Sequence, residues 1–399
     1  MTEKVENTSF RGASRAEGYV ESVELPSSPR AGESVPQMGD KTHKAQASPT
    51  DDLLDRFRND VAPAEPPAVI DDVPLPDEAQ GAPEAAGGVP SVDLRINRRE
   101  RAAEAPSLGW RAVARNLGFK VKQGPAELAA AELGSARSLI RLSRWQRSVG
   151  ILVANPKGGV GKTPLSLAIG GCFATTRGGG TVVVEVADDP GALSVRSEGR
   201  ANVGVAELLR DLDQIRGAGH LAGYVSQQTS YASVIGTVGD REPLSGEDVK
   251  RITSKIDEFF PVRVMDTGNQ PSSSAFHGAL DVTDVLVIPV LDALDALQGA
   301  MQLLRHLHQG GGHAAHLARN AIVVRTHDGR PEDAEVSAYA DELIEKAGIR
   351  AVYHLPMDHH IAERTTLVYG QLAPATKDAI TRLTAGVVEQ LNTELRKAQ

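Results

Sequence analysis

The chain has 399 residues and a single cysteine, Cys172. One thiol excludes a disulfide framework and a four-cysteine cluster, and it fits a reducing cytosol. Cys172 falls in a helical pattern behind a glycine-rich turn, where a small buried hydrophobe is expected. Long apolar runs are missing too. No stretch comes near the roughly 18 uninterrupted apolar residues that a membrane-crossing helix needs, and Met1-Thr2-Glu3-Lys4-Val5-Glu6 lacks the apolar core of a secretory signal. Internal repeats are absent. The expectation is a cytoplasmic protein whose attachment to a membrane or nucleoid, if it has one, is peripheral.

Charge is spread unevenly. The net charge of −9 divides into −8 over residues 1–105, +6 over residues 106–148 and −7 over residues 149–399, and three parts are expected on these boundaries. Residues 1–105 are rich in Pro, Ala, Gly and acids, as in Ala62-Pro63-Ala64-Glu65-Pro66-Pro67. Such a composition buries too little apolar surface to offset chain entropy, so a disordered arm is expected. Within it Leu53, Leu54 and Phe57 have helical spacing. They form either a docking motif for a protein partner or a transient helix without one.

Residues 106–148 read as a short basic helical segment. Gly109-Trp110-Arg111 opens it, and Pro125-Ala126-Glu127-Leu128 starts a helix with an acid in its first turn. Further on Leu139, Leu142 and Trp145 form one stripe, beside Arg137, Arg141 and Arg144. Three surfaces suit this face: the neighbouring domain, an anionic membrane, or DNA bound without sequence preference.

From Val149 onward strands alternate with helices. Strand-like runs cover 149–154, 181–187, 262–266, 285–290, 321–325 and 351–355, and amphipathic stretches cover 202–212, 245–259, 291–307 and 333–346. Near-continuous apolar strands joined by helices predict an α/β fold, a doubly wound, mostly parallel sheet between two helical layers. The stretch 377–399 carries Ile380, Leu383, Val387, Val388 and Leu391 without an aromatic, and a packed closing helix is expected there.

The chemistry sits at the first turn of this region. Between the run Val149–Ala154 and a helix starting at Thr163 lies Lys157-Gly158-Gly159-Val160-Gly161-Lys162-Thr163. A strand feeding a glycine turn and a helix presents backbone N–H groups and a helix N-terminus to a phosphate chain. Glycine lets the main chain approach oxygens without a Cβ in the way. Lys162 reaches β/γ-phosphates, the Thr163 hydroxyl suits Mg²⁺, and Pro164 follows in the first helical turn. The strict G-x-x-x-x-G-K-[ST] pattern would need glycine where Pro156 stands; the turn instead has a second lysine, Lys157. A carboxylate for the Mg²⁺ water shell is expected at a neighbouring strand end, and Val262-Arg263-Val264-Met265-Asp266-Thr267-Gly268 supplies Asp266.

Two lysines at this spacing make the loop resemble the deviant Walker A loop of the ParA/MinD family of P-loop ATPases. The matches at Gly109–Arg111, Gly124–Leu128, Gly191–Arg196 and Asn202–Leu209 look like EspI-type, MinD-like ATPases associated with type VII secretion; plasmid-partition ATPases are similar as well. The resemblance implies an ATP- and Mg²⁺-dependent switch that dimerises with ATP bound, Lys157 reaching the partner subunit's nucleotide, and hydrolyses ATP slowly. It implies a phosphate cradle of Lys157, Gly158, Gly159, Val160, Gly161, Lys162 and Thr163, and a second switch at Asp266. Leu355-Pro356-Met357-Asp358 resembles the family's turn near the base, which places Pro356 and Asp358 beside the nucleotide. The first switch departs from the family pattern: the strand ends Val184-Glu185-Val186-Ala187-Asp188-Asp189-Pro190, so either Asp188 or Asp189 is the carboxylate that positions water. That departure leaves a non-hydrolysing nucleotide-bound scaffold as an alternative, and the basic segment leaves a nucleoid- or plasmid-partition ATPase. The single cysteine argues against a nitrogenase-reductase-like carrier, and a tail from Thr376 without tyrosine argues against a tyrosine autokinase.

Overall fold

The computed structural model describes residues 124–397. The arm 1–105 with its Leu53/Leu54/Phe57 motif, and Gly109-Trp110-Arg111 of the basic segment, lie outside the described residues. Eight strands form one sheet: β1 Val149–Val153, β2 Thr181–Glu185, β3 Ser226–Gln227, β4 Ser233–Ile235, β5 Val262–Asp266, β6 Val285–Leu291, β7 Ile322–Thr326 and β8 Ala351–His354. Their order is β3-β4-β2-β5-β1-β6-β7-β8. Every pairing is parallel except β3 with β4. The helices that position the site are α1 Pro125–Leu142, α2 Lys162–Arg177, α3 Val205–Asp211, α4 Gly246–Asp257, α5 Ser274–Asp281, α6 Leu294–Gly310, α7 Gly312–Arg319, α8 Ala334–Lys346 and α9 Pro374–Lys397.

The apolar strands are continuous because both faces are covered. Within β1 Leu152 packs into one core, and Val149, Ile151 and Val153 into the other. β6 divides the same way, with Leu286, Ile288 and Val290 against Val285 and Val287. Successive residues of a strand point to opposite faces, so a strand apolar at every position serves two layers. One layer holds α3 to α8, through Leu208, Ile252, Ala279, Leu303, Leu317 and Ile344. The other holds α1, α2 and α9, through Ile140, Phe173 and Val388.

The expected strands lie where the alternation places them, with ends shifted by a residue or two. β6 runs on to Leu291, so α6 begins at Leu294 rather than at 291. The short pair β3–β4 and the helices α5 and α7 fall on stretches for which no element was expected. α9 is the packed closing helix: Ile380, Leu383, Val387, Val388 and Leu391 are all buried.

The basic segment differs from its expected form. α1 stops at Leu142, so Leu139, Leu142 and Trp145 do not share one helical face. The cause is local. Arg177 at the end of α2 donates to the carbonyls of Ile140 (3.0 Å) and Ser143 (2.8 Å), and its guanidinium lies 5.1 Å over the Trp145 ring. Cations favour the carbonyl end of a helix, and here one also stacks on an aromatic face. Leu139 and Trp145 pack onto the core while Leu142 is left 65% exposed. Trp145 Nε1 donates to Asn392 on α9 (3.0 Å), and Arg147 makes two bonds to Asp284. Of the three surfaces that suited this face, Leu139 and Trp145 therefore meet the neighbouring domain, while Leu142 stays exposed.

Candidate functional site

The carboxyl ends of β1, β2, β5, β6 and β7 open onto a cleft of about 450 Å³. Clefts at this edge are where open parallel sheets bind ligands, because the strand order reverses there and the loops diverge. The β1–α2 turn forms its floor. Gly159 (φ 81°) and Gly161 (φ 94°) are left-handed, a conformation that side-chain-bearing residues adopt at a cost. Three hydrogen bonds from two side chains fix the turn. Asn155 Oδ1 accepts from Lys157 N (2.9 Å), Asn155 Nδ2 donates to Pro289 O (2.8 Å), and Thr326 Oγ1 donates to Val160 O (2.9 Å). The loop is thus braced from β6 and β7 before any ligand arrives.

Lys162 is buried and points back into the loop. Its Nζ donates to Lys157 O (3.1 Å) and to Asn269 Oδ1 (2.6 Å). Burial lowers its pKa to about 8, against the pull of Asp266. An ammonium held this way gains by meeting an anion, and Asn269 is the group a phosphate oxygen would displace.

Asp266 ends β5 beside the loop. Thr163 Oγ1 donates to its Oδ2 at 2.7 Å and Ser166 Oγ to its Oδ1 at 3.0 Å. Burial raises its pKa to about 6, offset in part by the two hydroxyls. The strand register places Glu185 next to Asp266, and that second carboxylate raises the value further. A buried carboxylate joined to the Thr163 hydroxyl is a donor set that fits Mg²⁺, a hard cation taking oxygen ligands and keeping several waters. Among the described residues no group of three or more His, Cys, Asp or Glu converges as a metal site, and His359 and His360 supply none. His360 Nε2 accepts from Val368 N (2.8 Å) instead.

The two aspartates of the first switch part company. Both line the cleft, but Asp189 is exposed while Asp188 packs toward Gly268 of the second switch. Glu185 is 1% exposed and lines the cleft beside Asp266; its Oε1 takes donors from Gly191 N, Thr237 Oγ1 and Arg241, while its Oε2 is buried without a hydrogen-bond partner. Arg241 had no sequence signal: it lies 56 residues beyond Glu185, in a loop of ordinary composition.

At the far end Pro356 and Asp358 line the cleft. The Asp358 carboxylate, however, is already occupied, accepting from His360 N of its own turn and from Ala373 N just before α9, at 2.9 Å each. Burial pushes its pKa up, but the hydrogen bonds it accepts outweigh that and hold it low, so the residue shapes the wall rather than offering a free acceptor. Arg325 is equally committed, to Asp292 and Asp341. Lys157 stands at the rim, 45% exposed, with Nζ 2.7 Å from Asp295. An exposed pair of that kind contributes at most about 1 kcal/mol, so the lysine is free to swing.

Residues 151–366 match the model of the CobQ/CobB/MinD/ParA nucleotide binding domain. No curated protein matches the chain. Among solved structures it is similar to a ParA family ATPase from Chlorobium tepidum TLS, at 15% identity over 63% of this chain and 97% of that one, with a TM-score of 0.46. It is also similar to the cell division ATPase MinD of Pyrococcus furiosus, at 17% identity over 62% and 99%, with a TM-score of 0.45. A third is cobyrinic acid a,c-diamide synthase from Mycobacterium smegmatis, solved with an ATP analogue and magnesium, at 17% identity over 63% and 97%, with a TM-score of 0.42. The domain match spans more than half of the 399 residues, its first residue on β1 and its loop, acids and basic rim all inside the matched range: the chain belongs to the CobQ/CobB/MinD/ParA family of nucleotide-binding domains.

Proposed function

We propose that this protein binds ATP with Mg²⁺ and uses it as a pairing switch: two copies close face to face over their nucleotides, and slow hydrolysis parts them. The observation that carries the reading is the Lys162–Thr163–Asp266 constellation, a buried cation and a hydroxyl-bound carboxylate on either side of a glycine loop. The loop's N–H groups and Lys162 hold the phosphates. Thr163 and Asp266 hold Mg²⁺, which supplies charge neutralisation when bound. Asp188 and Asp189 are the acids within reach of an attacking water.

Pairing draws support from the rim. Lys157 is an exposed cation there, paired with an exposed Asp295. Two facing triphosphates bring about eight negative charges together, so a cation from the opposite chain is strongly favoured in the dry interface. To act as a switch, ATP has to favour the pair by several kcal/mol. On the resemblance of the sequence, the complex regulated is of the type VII secretion kind, reached through a protein partner of the arm 1–105.

A second reading, a scaffold that binds nucleotide without hydrolysing it, draws on Glu185, whose Oε1 is paired with Arg241, and on Ala187, which carries no acid. Titration calorimetry with Mg–ATP tests the shared part of both: absence of binding at millimolar nucleotide would end them together. Steady-state phosphate release then separates hydrolysis from scaffold.

A further inference from the structure

The loop after β2 is held by a side chain from far along the sequence. Arg241 lies between β4 and α4, yet its side chain is only 1% exposed. It donates to three consecutive carbonyls, those of Ala187 (2.9 Å), Asp188 (2.5 Å) and Asp189 (3.0 Å). It also reaches Thr237 Oγ1 (2.8 Å) and Glu185 Oε1 (3.2 Å), while Leu244 N gives Asp188 O a second donor at 3.1 Å. A guanidinium offers five N–H groups in a rigid plane, which suits several acceptors at once; an ammonium does not. Glu185 supplies the countercharge that burial of Arg241 requires.

The consequence is the direction of one carboxylate. With three carbonyls pinned, Asp188 faces the second switch, so close that a Cβ built on Gly268 would lie 2.8 Å from its Oδ1. Gly268 follows Asp266 by two residues. Asp189 is held by its carbonyl alone and stays exposed, and Glu185 is tied into the clamp through Oε1, which takes Gly191 N, Thr237 Oγ1 and Arg241.

We propose that Arg241 is the positioning residue of the first switch and that it aims Asp188, rather than Asp189, at the attacking water. The proposal rests on the hydrolytic reading above. In that step a bond forms from water oxygen to the γ-phosphorus as the bond from that phosphorus to the β-bridging oxygen breaks. The water's proton passes to the Asp188 carboxylate and on to solvent, and ADP and inorganic phosphate leave.

The test measures Mg–ATP binding and phosphate release on the full chain for Arg241→Lys, Asp188→Asn, Asp189→Asn and the Arg241→Lys/Asp188→Asn pair. Arg241→Lys keeps a countercharge for Glu185, so it is expected to fold and to bind Mg–ATP as the wild type does. Its kcat falls about 100-fold, and Asp188→Asn falls by a similar factor. The pair falls no further than either single change, because both remove one device. Asp189→Asn retains at least about tenfold more turnover than Asp188→Asn. A merely structural role would lower binding and thermal midpoint and leave kcat of the folded fraction intact. Wild-type turnover by Arg241→Lys, its loss of Mg–ATP binding, additive losses in the pair, or a larger loss at Asp189 would each overturn the proposal. Absence of phosphate release by the wild type would instead sink the hydrolytic reading, and this proposal with it.

Discussion

At the scale of single residues, the site is a place where the fold is strained electrostatically in favour of a ligand. Asp266 and Lys162 are both pushed toward neutrality by burial, the carboxyl to about 6 and the ammonium to about 8. The sign of each effect on stability follows by linkage. For Asp266 the folded form holds its proton where the unfolded chain, with an ordinary value of 3.8, has lost it. Stability of the nucleotide-free protein therefore declines as pH rises from about 4 to about 6 and stays reduced above that. For Lys162 the folded form gives up its proton early, so stability recovers only as pH climbs from about 8 toward 10.5. Asp266→Asn should accordingly stabilise the free protein at pH 7, by on the order of 2–3 kcal/mol, with no gain below about pH 4. The same variant should lose Mg²⁺-dependent nucleotide binding. Thermal melts across pH without nucleotide, paired with Mg²⁺ titrations, check both halves. In the wild type, Mg–ATP affinity should fall as pH drops through about 6, where the carboxylate takes up a proton. A flat affinity from pH 5 to 7 would deny Asp266 its role.

At the scale of elements, the parts legible in the sequence were those whose signal is local. β1, the glycine turn and the start of α2 follow from one contiguous string, and Asp266 follows from its place after an apolar run. β3 and β4 are too short, at two and three residues, to show any periodicity. α1 illustrates a different limit. Its helical pattern runs on past Leu142 in the sequence, but a side chain from α2, Arg177, takes the last carbonyls and ends it. Arg241 is the same kind of case, a long-range contact with no local trace. The integration of α1 has an energetic test. Ile140 is fully buried in the core that also holds Phe173 and Val388. Ile140→Ala should cost about 2–5 kcal/mol and shift the single melt of the whole domain, whereas Leu142→Ala, at an exposed position, should stay within about 0.5 kcal/mol. A main transition left in place by Ile140→Ala, with only a small early step lost, would mean that α1 is an appendage.

At the scale of the whole molecule, the question is whether nucleotide and self-association form one equilibrium. Lys162 and Lys157 stand five residues apart on the same loop but in opposite settings: one buried and turned inward, the other at the rim and held only by exposed Asp295. If both served the chain's own nucleotide, removing either would weaken ATP binding. If Lys157 serves a second copy, its removal spares binding and abolishes pairing, because the monomer's phosphate contacts come from Lys162 and the glycine N–H groups. Lys162→Ala is therefore expected to lose ATP binding, and pairing with it. Lys157→Ala is expected to bind Mg–ATP within about threefold of the wild type and to remain a monomer, a difference of several kcal/mol in the paired state alone. Calorimetry combined with light scattering in Mg–ATP, Mg–ADP and no nucleotide distinguishes the two lysines. Pairing by Lys157→Ala at the wild-type nucleotide concentration would leave the rim lysine as a solvated surface charge with no part in the switch.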